Sequence, residues 1–260
     1  MKNALIINGG ENTTNRDQIG EFDFIVAVDS GAEHAYKLFL KPDLIIGDLD
    51  SIDKKIYDRV TKDKIEIIEY QEDKDYTDFE IALKHVINME IKDITVIGGE
   101  YGDIDHLFGS LFNINKLHND QNILWIHGDQ NILFPNSENV EIGVNKNFSV
   151  LPFSDLINLT ISGAKWNLEN EDVEFGVSKT LRNISKSNQI HISVLDGKYC
   201  LVINNSDLGR SFQALSLSNL GSLGRPSTLS AIIFLMISDV PPSIEFARDL
   251  KNKLCVSVNP

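Results

Sequence analysis

The sequence is poor in thiols, basic residues and long apolar runs. Cys200 and Cys255 are the only cysteines in 260 residues. Two thiols in a chain of this length suggest neither a disulfide scaffold nor a zinc site, so a reducing compartment is expected. Lysine and arginine number 24 against 38 aspartates and glutamates, for a formal net charge of -14. A general nucleic-acid binder needs a basic surface, and this balance argues against that class. The apolar run at residues 4–7 meets Asn8-Gly9-Gly10 at once and is too short for a secretory signal core. The longest late run, 231–237, is too short to span a bilayer. The expectation is a soluble, cytoplasmic protein with no nucleic-acid or membrane partner.

What is present is a regular alternation. Apolar runs at 4–7, 24–28, 44–46, 65–68, 94–97 and 123–126 read as buried strands. Helix-like patterns at 32–40, 53–60, 77–89 and 105–117 lie between them. Such alternation predicts a parallel sheet covered on both faces. From about residue 130 the helices stop. Short strand-like runs follow at 132–134, 140–143, 148–151, 156–161, 173–175, 190–194 and 199–203, which predicts a β-sandwich or barrel. Asp196-Gly197 is the signature of a hairpin joining the last two. The expected organisation is an α/β domain over 1–129, a β domain over 130–205 and a tail over 206–260. In the tail, 206–230 reads as linker, and 229–237 and 244–254 as short helices.

The chemistry concentrates between residues 44 and 78. One strand delivers Gly47-Asp48-Leu49-Asp50-Ser51, and the next delivers Asp73-Lys74-Asp75-Tyr76-Thr77-Asp78. Loops after parallel strands gather at one sheet edge, where ligands bind. Two acidic loops there would offer oxygen ligands to a hard divalent cation such as Mg²⁺. Lys74 adds a point charge for a phosphate. Local roles compete: Asp50 or Ser51 as a helix cap, and Thr77 with Glu80 as a capping box. Asp29-Ser30-Gly31 reads first as a capped helix start, with Gly31 allowing close approach of a ligand. Gly98-Gly99 with Gly102 forms a glycine loop that fits no full nucleotide fingerprint. Asp105-His106 opens the following helix. Trp166 is most simply a core residue of the β region, its sharper reading being a flat platform for an aromatic ligand.

In this order, VDSGA, GDLDS, EDKDYTD, the Gly98-to-His106 stretch and Gly163-x-Lys165-Trp166-x-Leu168 resemble thiamine pyrophosphokinase over residues 4–203. The resemblance implies a Rossmann-like, parallel-sheet nucleotide-binding domain followed by an all-β sandwich domain. It implies a homodimer with a shared active site that transfers pyrophosphate from ATP to thiamine. Carried over by motif, Asp48, Asp50 and Asp78 are Mg²⁺ ligands, and Asp29, Lys74, Asp75 and Thr77 organise the phosphates. Gly31, Gly99, Gly102 and Asp105 lie on the nucleotide side, while Trp166, Ser178 and Asn183 lie on the thiamine side. The sequence departs from the family in three places. Asp103 stands near where an arginine is expected. Asn183 follows Arg182, a candidate replacement charge, rather than a serine. Residues 206–260 extend past the usual end. Two other readings fit the motifs less fully: a pyrophosphokinase of a hydroxymethyl pterin, and a non-catalytic nucleotide or thiamine diphosphate binder.

Overall fold

The computed structural model describes residues 2–47, 53–69 and 76–205. The 206–260 tail, read as a linker with short helices, and the site candidates Asp48, Asp50, Lys74 and Asp75 lie outside the described residues. The strands are β1 (Asn3–Ile7), β2 (Phe24–Val28), β3 (Leu44–Ile46), β4 (Glu66–Ile68), β5 (Asp93–Ile97), β6 (Asn122–His127) and β7 (Gln130–Phe134). They continue as β8 (Asn139–Glu141), β9 (Asn147–Pro152), β10 (Leu156–Ser162), β11 (Leu168–Val173), β12 (Asn183–Ile184), β13 (Gln189–Ser193) and β14 (Tyr199–Asn204). The helices are α1 (Gly31–Lys37), α2 (Lys54–Asp63), α3 (Asp78–Asn88) and α4 (Ile104–Leu117). None of them is long and apolar enough to cross a membrane.

A ten-stranded sheet runs β12-β9-β14-β7-β6-β5-β1-β2-β3-β4. From β6 to β4 the pairings are all parallel; from β7 outward they are antiparallel. The near-continuous apolar strands are explained by burial on both faces. Ala4, Ile6, Val26 and Val28 pack with Phe79, Leu83 and Val86 of α3 and with Leu111 and Ile114 of α4. Their neighbours Leu5, Ile7 and Ile25 pack with Ala35 of α1. Ala27 and Ile45 pack with Tyr36 of α1 and Val60 of α2. The expected α/β pattern is therefore present, with a second, four-stranded antiparallel sheet ordered β11-β10-β13-β8.

The two sheets meet through Phe148, Val150, Leu201 and Ile203 on one side and Leu159, Ile161, Ile190 and Ile192 on the other. The boundary expected near residue 130 falls in the β6–β7 turn, and the large sheet continues through it. The Asp196-Gly197 hairpin is overturned. β13 pairs with β10 and β8, whereas β14 pairs with β7 and β9. Gly197 has φ +113, so the dipeptide signals a backbone that favours glycine, not a pairing partner. The turn passes the chain across the core from one sheet to the other. The strand expected at 173–175 lies instead at β11, Leu168–Val173. Its LENEDV sequence hides the pattern because it is an edge strand, where charged residues block further pairing. β12, too short to show a period, was not expected.

Candidate functional site

Strand β1 sends the chain towards β2, and β5 sends it towards β6, on opposite sides of the β1–β5 pair. At such a switch point, the loops beyond the strand ends splay apart and leave a crevice. A cleft of 690 Å³ lies there. Asn8, Gly9 and Gly10 after β1 line it, with Asp29 and Ser30 after β2, and Tyr76, Thr77 and Asp78 leading into α3. Gly99, Gly102, Asp103, Asp105 and His106 come from the β5–α4 connection, and Trp125 lies at the inner wall. The Trp125 indole is buried and donates to the Gly98 carbonyl at 3.0 Å, so a core residue holds the glycine loop.

Local chemistry sets the helix starts around the cleft. The Thr77 hydroxyl oxygen accepts from the Glu80 N–H at 3.2 Å, which is half of the expected capping box. The Glu80 carboxylate turns instead to Lys84, at 2.8 Å. The α2 cap is Asp53, which accepts from the Lys55 N–H at 2.8 Å; it replaces the expected Asp50 or Ser51. Ser30 holds the N-cap position of α1 without a side-chain cap bond. Its hydroxyl accepts from the Gly10 N–H at 3.3 Å, tying the loop after β1 to the loop after β2. Gly31 does permit a close approach, but of the chain itself: a Cβ there would overlap the Ile7 carbonyl oxygen. Gly31 is not among the cleft-lining residues.

Asp29 has φ 47. Its N–H donates to the Ile46 carbonyl at 3.0 Å, and the Gly47 N–H donates to Ile68 at 3.3 Å. The ends of β2, β3 and β4 are thereby drawn together, and the loop that begins at Gly47 starts beside the Asp29 side chain. Asp78 and Asp29 supply hard oxygen donors to the cleft, a donor set that suits Mg²⁺. Asp103, Asp105 and His106 are exposed, with ligand atoms within 4.8 Å of one another. This grouping was not expected from the sequence.

The structure thus brings together Asp29, Thr77, Asp78, Gly99, Gly102 and Asp105. It does not bring Trp166, Ser178 or Asn183 to this cleft. Trp166 is 53% exposed, so the core reading fails; the Lys165 ammonium stands 4.3 Å from its ring centroid. Asn183 is buried, and its side chain is spent on backbone groups: Oδ1 accepts from the N–H of its neighbour Ile184 at 2.8 Å, and both ends of the amide bind the Trp166 backbone. Its Oδ1 accepts from the Trp166 N–H at 3.1 Å, and its Nδ2 donates to the Trp166 carbonyl at 2.6 Å. Asn183 therefore acts on this region by holding Trp166. Ser178 is exposed between β11 and β12 and accepts at its carbonyl from the Leu181 N–H, at 3.2 Å. Sequence reasoning missed Asn8, Gly9, Gly10 and Trp125 as site residues. The Asn-Gly-Gly after the first strand was the available signal; nothing local marked Trp125.

Known proteins share this fold. The sequence matches the family described as thiamin pyrophosphokinase, catalytic domain, over residues 16–126. It matches the thiamin pyrophosphokinase vitamin B1 binding domain over residues 130–199. A thiamine pyrophosphokinase of Bacillus subtilis is 29% identical over 185 residues, covering 65% of this chain and 83% of that protein. Thiamine pyrophosphokinase 2 of Arabidopsis thaliana is 29% identical over 50% of this chain, which spans 53% of that relative. The crystal structure of thiamin pyrophosphokinase from Geobacillus thermodenitrificans superposes with a TM-score of 0.69 at 23% identity, over 80% of this chain and 99% of that one. The Candida albicans enzyme gives 0.65 at 18% identity, over 78% and 88%. These two likenesses speak for the fold, and the two domain matches, in order along one chain, speak for descent: the chain belongs to the thiamine pyrophosphokinase family.

Proposed function

We propose that this chain transfers the pyrophosphoryl group of ATP to the hydroxyl of thiamine, giving thiamine diphosphate and AMP. The observation that carries this reading is the switch-point cleft, where Asp29, Thr77, Asp78, Gly99, Gly102 and Asp105 converge in a chain of this family. The parallel part of the sheet is read as a Rossmann-like nucleotide-binding unit, and residues 130–205 as a thiamine-binding β-sandwich. The setting is cytoplasmic.

The thiamine oxygen forms a bond to the β-phosphorus, the bond from that phosphorus to the α-phosphate oxygen breaks, and the hydroxyl proton is released. Such transfers rest on positioning and charge stabilisation. Asp48, Asp50 and Asp78 would hold Mg²⁺, which when bound offsets the charge of the phosphates. The starts of α3 and α4 face the cleft, and helix N-termini favour phosphate. Thr77 keeps the start of α3 in place, and Asp29 places the loop that begins at Gly47. Lys74 supplies a local cation and Asp75 organises the loop.

Trp166, with its ring exposed and its backbone held by Asn183, packs against the thiamine ring; Ser178 lies on the same side. Because these residues do not line the cleft, the site is read as shared in a homodimer, the cleft of one copy being completed by Trp166 of the partner subunit. The outer side of α4 suits that contact. Ile104, Phe108 and Phe112 recur one turn apart and are 70%, 48% and 55% exposed. Exposed apolar surface of this kind marks association.

Incubation with ATP, Mg²⁺ and thiamine is expected to yield AMP and thiamine diphosphate. ADP with thiamine monophosphate would overturn the reaction. AMP released with a hydroxymethyl pterin but not with thiamine would move the assignment to that substrate.

A further inference from the structure

Glu100 sits in the glycine loop of the cleft, yet its side chain is wholly buried. Both of its side-chain oxygens meet one residue far away in sequence. Oε1 accepts from the Thr13 N–H at 3.2 Å, and Oε2 accepts from the Thr13 hydroxyl. The Glu100 N–H donates to the Glu11 carbonyl at 2.9 Å, so Glu11 and Glu100 form an isolated antiparallel bridge. Beside it, Gly10 and Gly99 are in backbone contact: a Cβ on Gly10 would stand 3.5 Å from the Gly99 Cα. On its other side Gly10 is tied to α1. The Ser30 hydroxyl accepts its N–H, and His34 Nε2 lies 2.6 Å from its carbonyl.

A buried carboxyl group is costly unless its oxygens are satisfied. Here that requirement makes Glu100 a latch between two loops that no regular ladder joins beyond the strand ends. Those loops carry Gly9 and Gly10 on one side of the crevice and Gly99 and Gly102 on the other. Glu100 itself does not line the cleft. We propose that the Glu100–Thr13 latch is a positioning device for the nucleotide half of the site: it sets the spacing of the two glycine loops, and so nucleotide affinity, without touching the nucleotide. This rests on the reading that the cleft takes ATP.

The test compares full-length Glu100→Ala, Glu100→Gln and Thr13→Val with the wild type. Glu100→Ala is expected to raise the KM for ATP about tenfold or more and leave the KM for thiamine within about twofold, because misplacement acts on the loops alone. Glu100→Gln keeps an acceptor for the Thr13 N–H and gains a donor for its hydroxyl, so it stays within about threefold of wild type. Thr13→Val, which keeps only the backbone donor, falls between them. Amide exchange over 9–14 and 99–102 accelerates in Glu100→Ala.

An unchanged KM for ATP in Glu100→Ala, parallel rises for both substrates, or a Gln variant as impaired as the Ala variant would each overturn the latch. If Glu100→Ala fails to fold, Thr13→Val decides, since it must show the ATP-specific rise. If the wild type turns over no thiamine, the proposed function fails separately. The exchange comparison then still judges the latch: faster exchange in both loops sustains the coupling, and unchanged exchange removes it.

Discussion

The Asp29 carboxylate occupies the space that a side chain on Gly47 would need. A Cβ on Gly47 would overlap Asp29 Oδ1, and Gly47 has φ +142, a backbone that L side chains rarely adopt. Gly47→Ala is therefore expected to cost about 1–3 kcal/mol from backbone strain and to displace the loop carrying Asp48 and Asp50. Asp29→Ala in the same chain removes the overlap but not the strain. The double variant should recover part of the stability in urea unfolding and none of the AMP release. Full recovery of activity would separate Asp29 from the site.

Asp78 and Asp50 test the proposed metal half. Asp78→Asn and Asp50→Asn keep size and remove charge. Each is expected to lower turnover by about 10²-fold or more, a loss typical for charge-stabilising groups. Both substitutions keep the shape of the side chain, so unfolding midpoints should move far less than turnover does. Turnover near wild type in either variant would remove that residue from the metal site.

Asn183 and Trp166 test the thiamine half. Asn183→Ala leaves the Trp166 N–H and carbonyl without their partner. It is expected to cost about 1–3 kcal/mol of stability and to raise the KM for thiamine but not for ATP, as Trp166→Ala does. A rise in the KM for ATP alone would contradict the assignment.

Sharing of the site between subunits has its own test. At thiamine below the wild-type KM, where Asp78→Asn and Trp166→Ala are each nearly inactive alone, mixing the two should restore about a quarter of wild-type activity. Half of randomly mixed twofold dimers are mixed, and each of these has one intact site. Phe108→Ser with Phe112→Ser should shift sedimentation towards the monomer and abolish this rescue. Absence of rescue between subunits shown to exchange would place each site within one chain.

His118 gives a pH dependence. Burial, and then the Lys198 charge, hold its pKa below the ordinary 6.5. The fold thus prefers neutral imidazole. This contribution is present above 6.5 and is lost as pH falls through the depressed folded value. Urea midpoints should decline on acidification below pH 6.5, and His118→Gln should flatten that decline. An unchanged slope would show that His118 is not a source.

Much of the α/β half could be read from sequence because burial on both faces writes continuous apolar runs such as 4–7 and 24–28. The capped start of α3 was equally legible, since Thr77 acts on a neighbour three residues away. The β region was harder. LENEDV looks unlike a strand because its edge is guarded by charge, and Asp196-Gly197 specifies a turn without specifying which sheet receives the next strand. Asn183 was read as a contact to substrate. Its burial beneath Trp166 depends on a β12–β9 pairing that no local pattern announces.

By itself the sequence determined the acidic character, the alternation of the first half and the order of the motifs, because composition, periodicity and short-range capping are properties of neighbours along the chain. Tertiary structure decided that β1 and β5 lie side by side, that Glu100 reaches Thr13, that Trp166 is exposed and that the Asp29 carboxylate fills the space above Gly47. Those relations join residues distant in sequence, and they arise only when strand order and core packing bring the loops to one edge of the sheet.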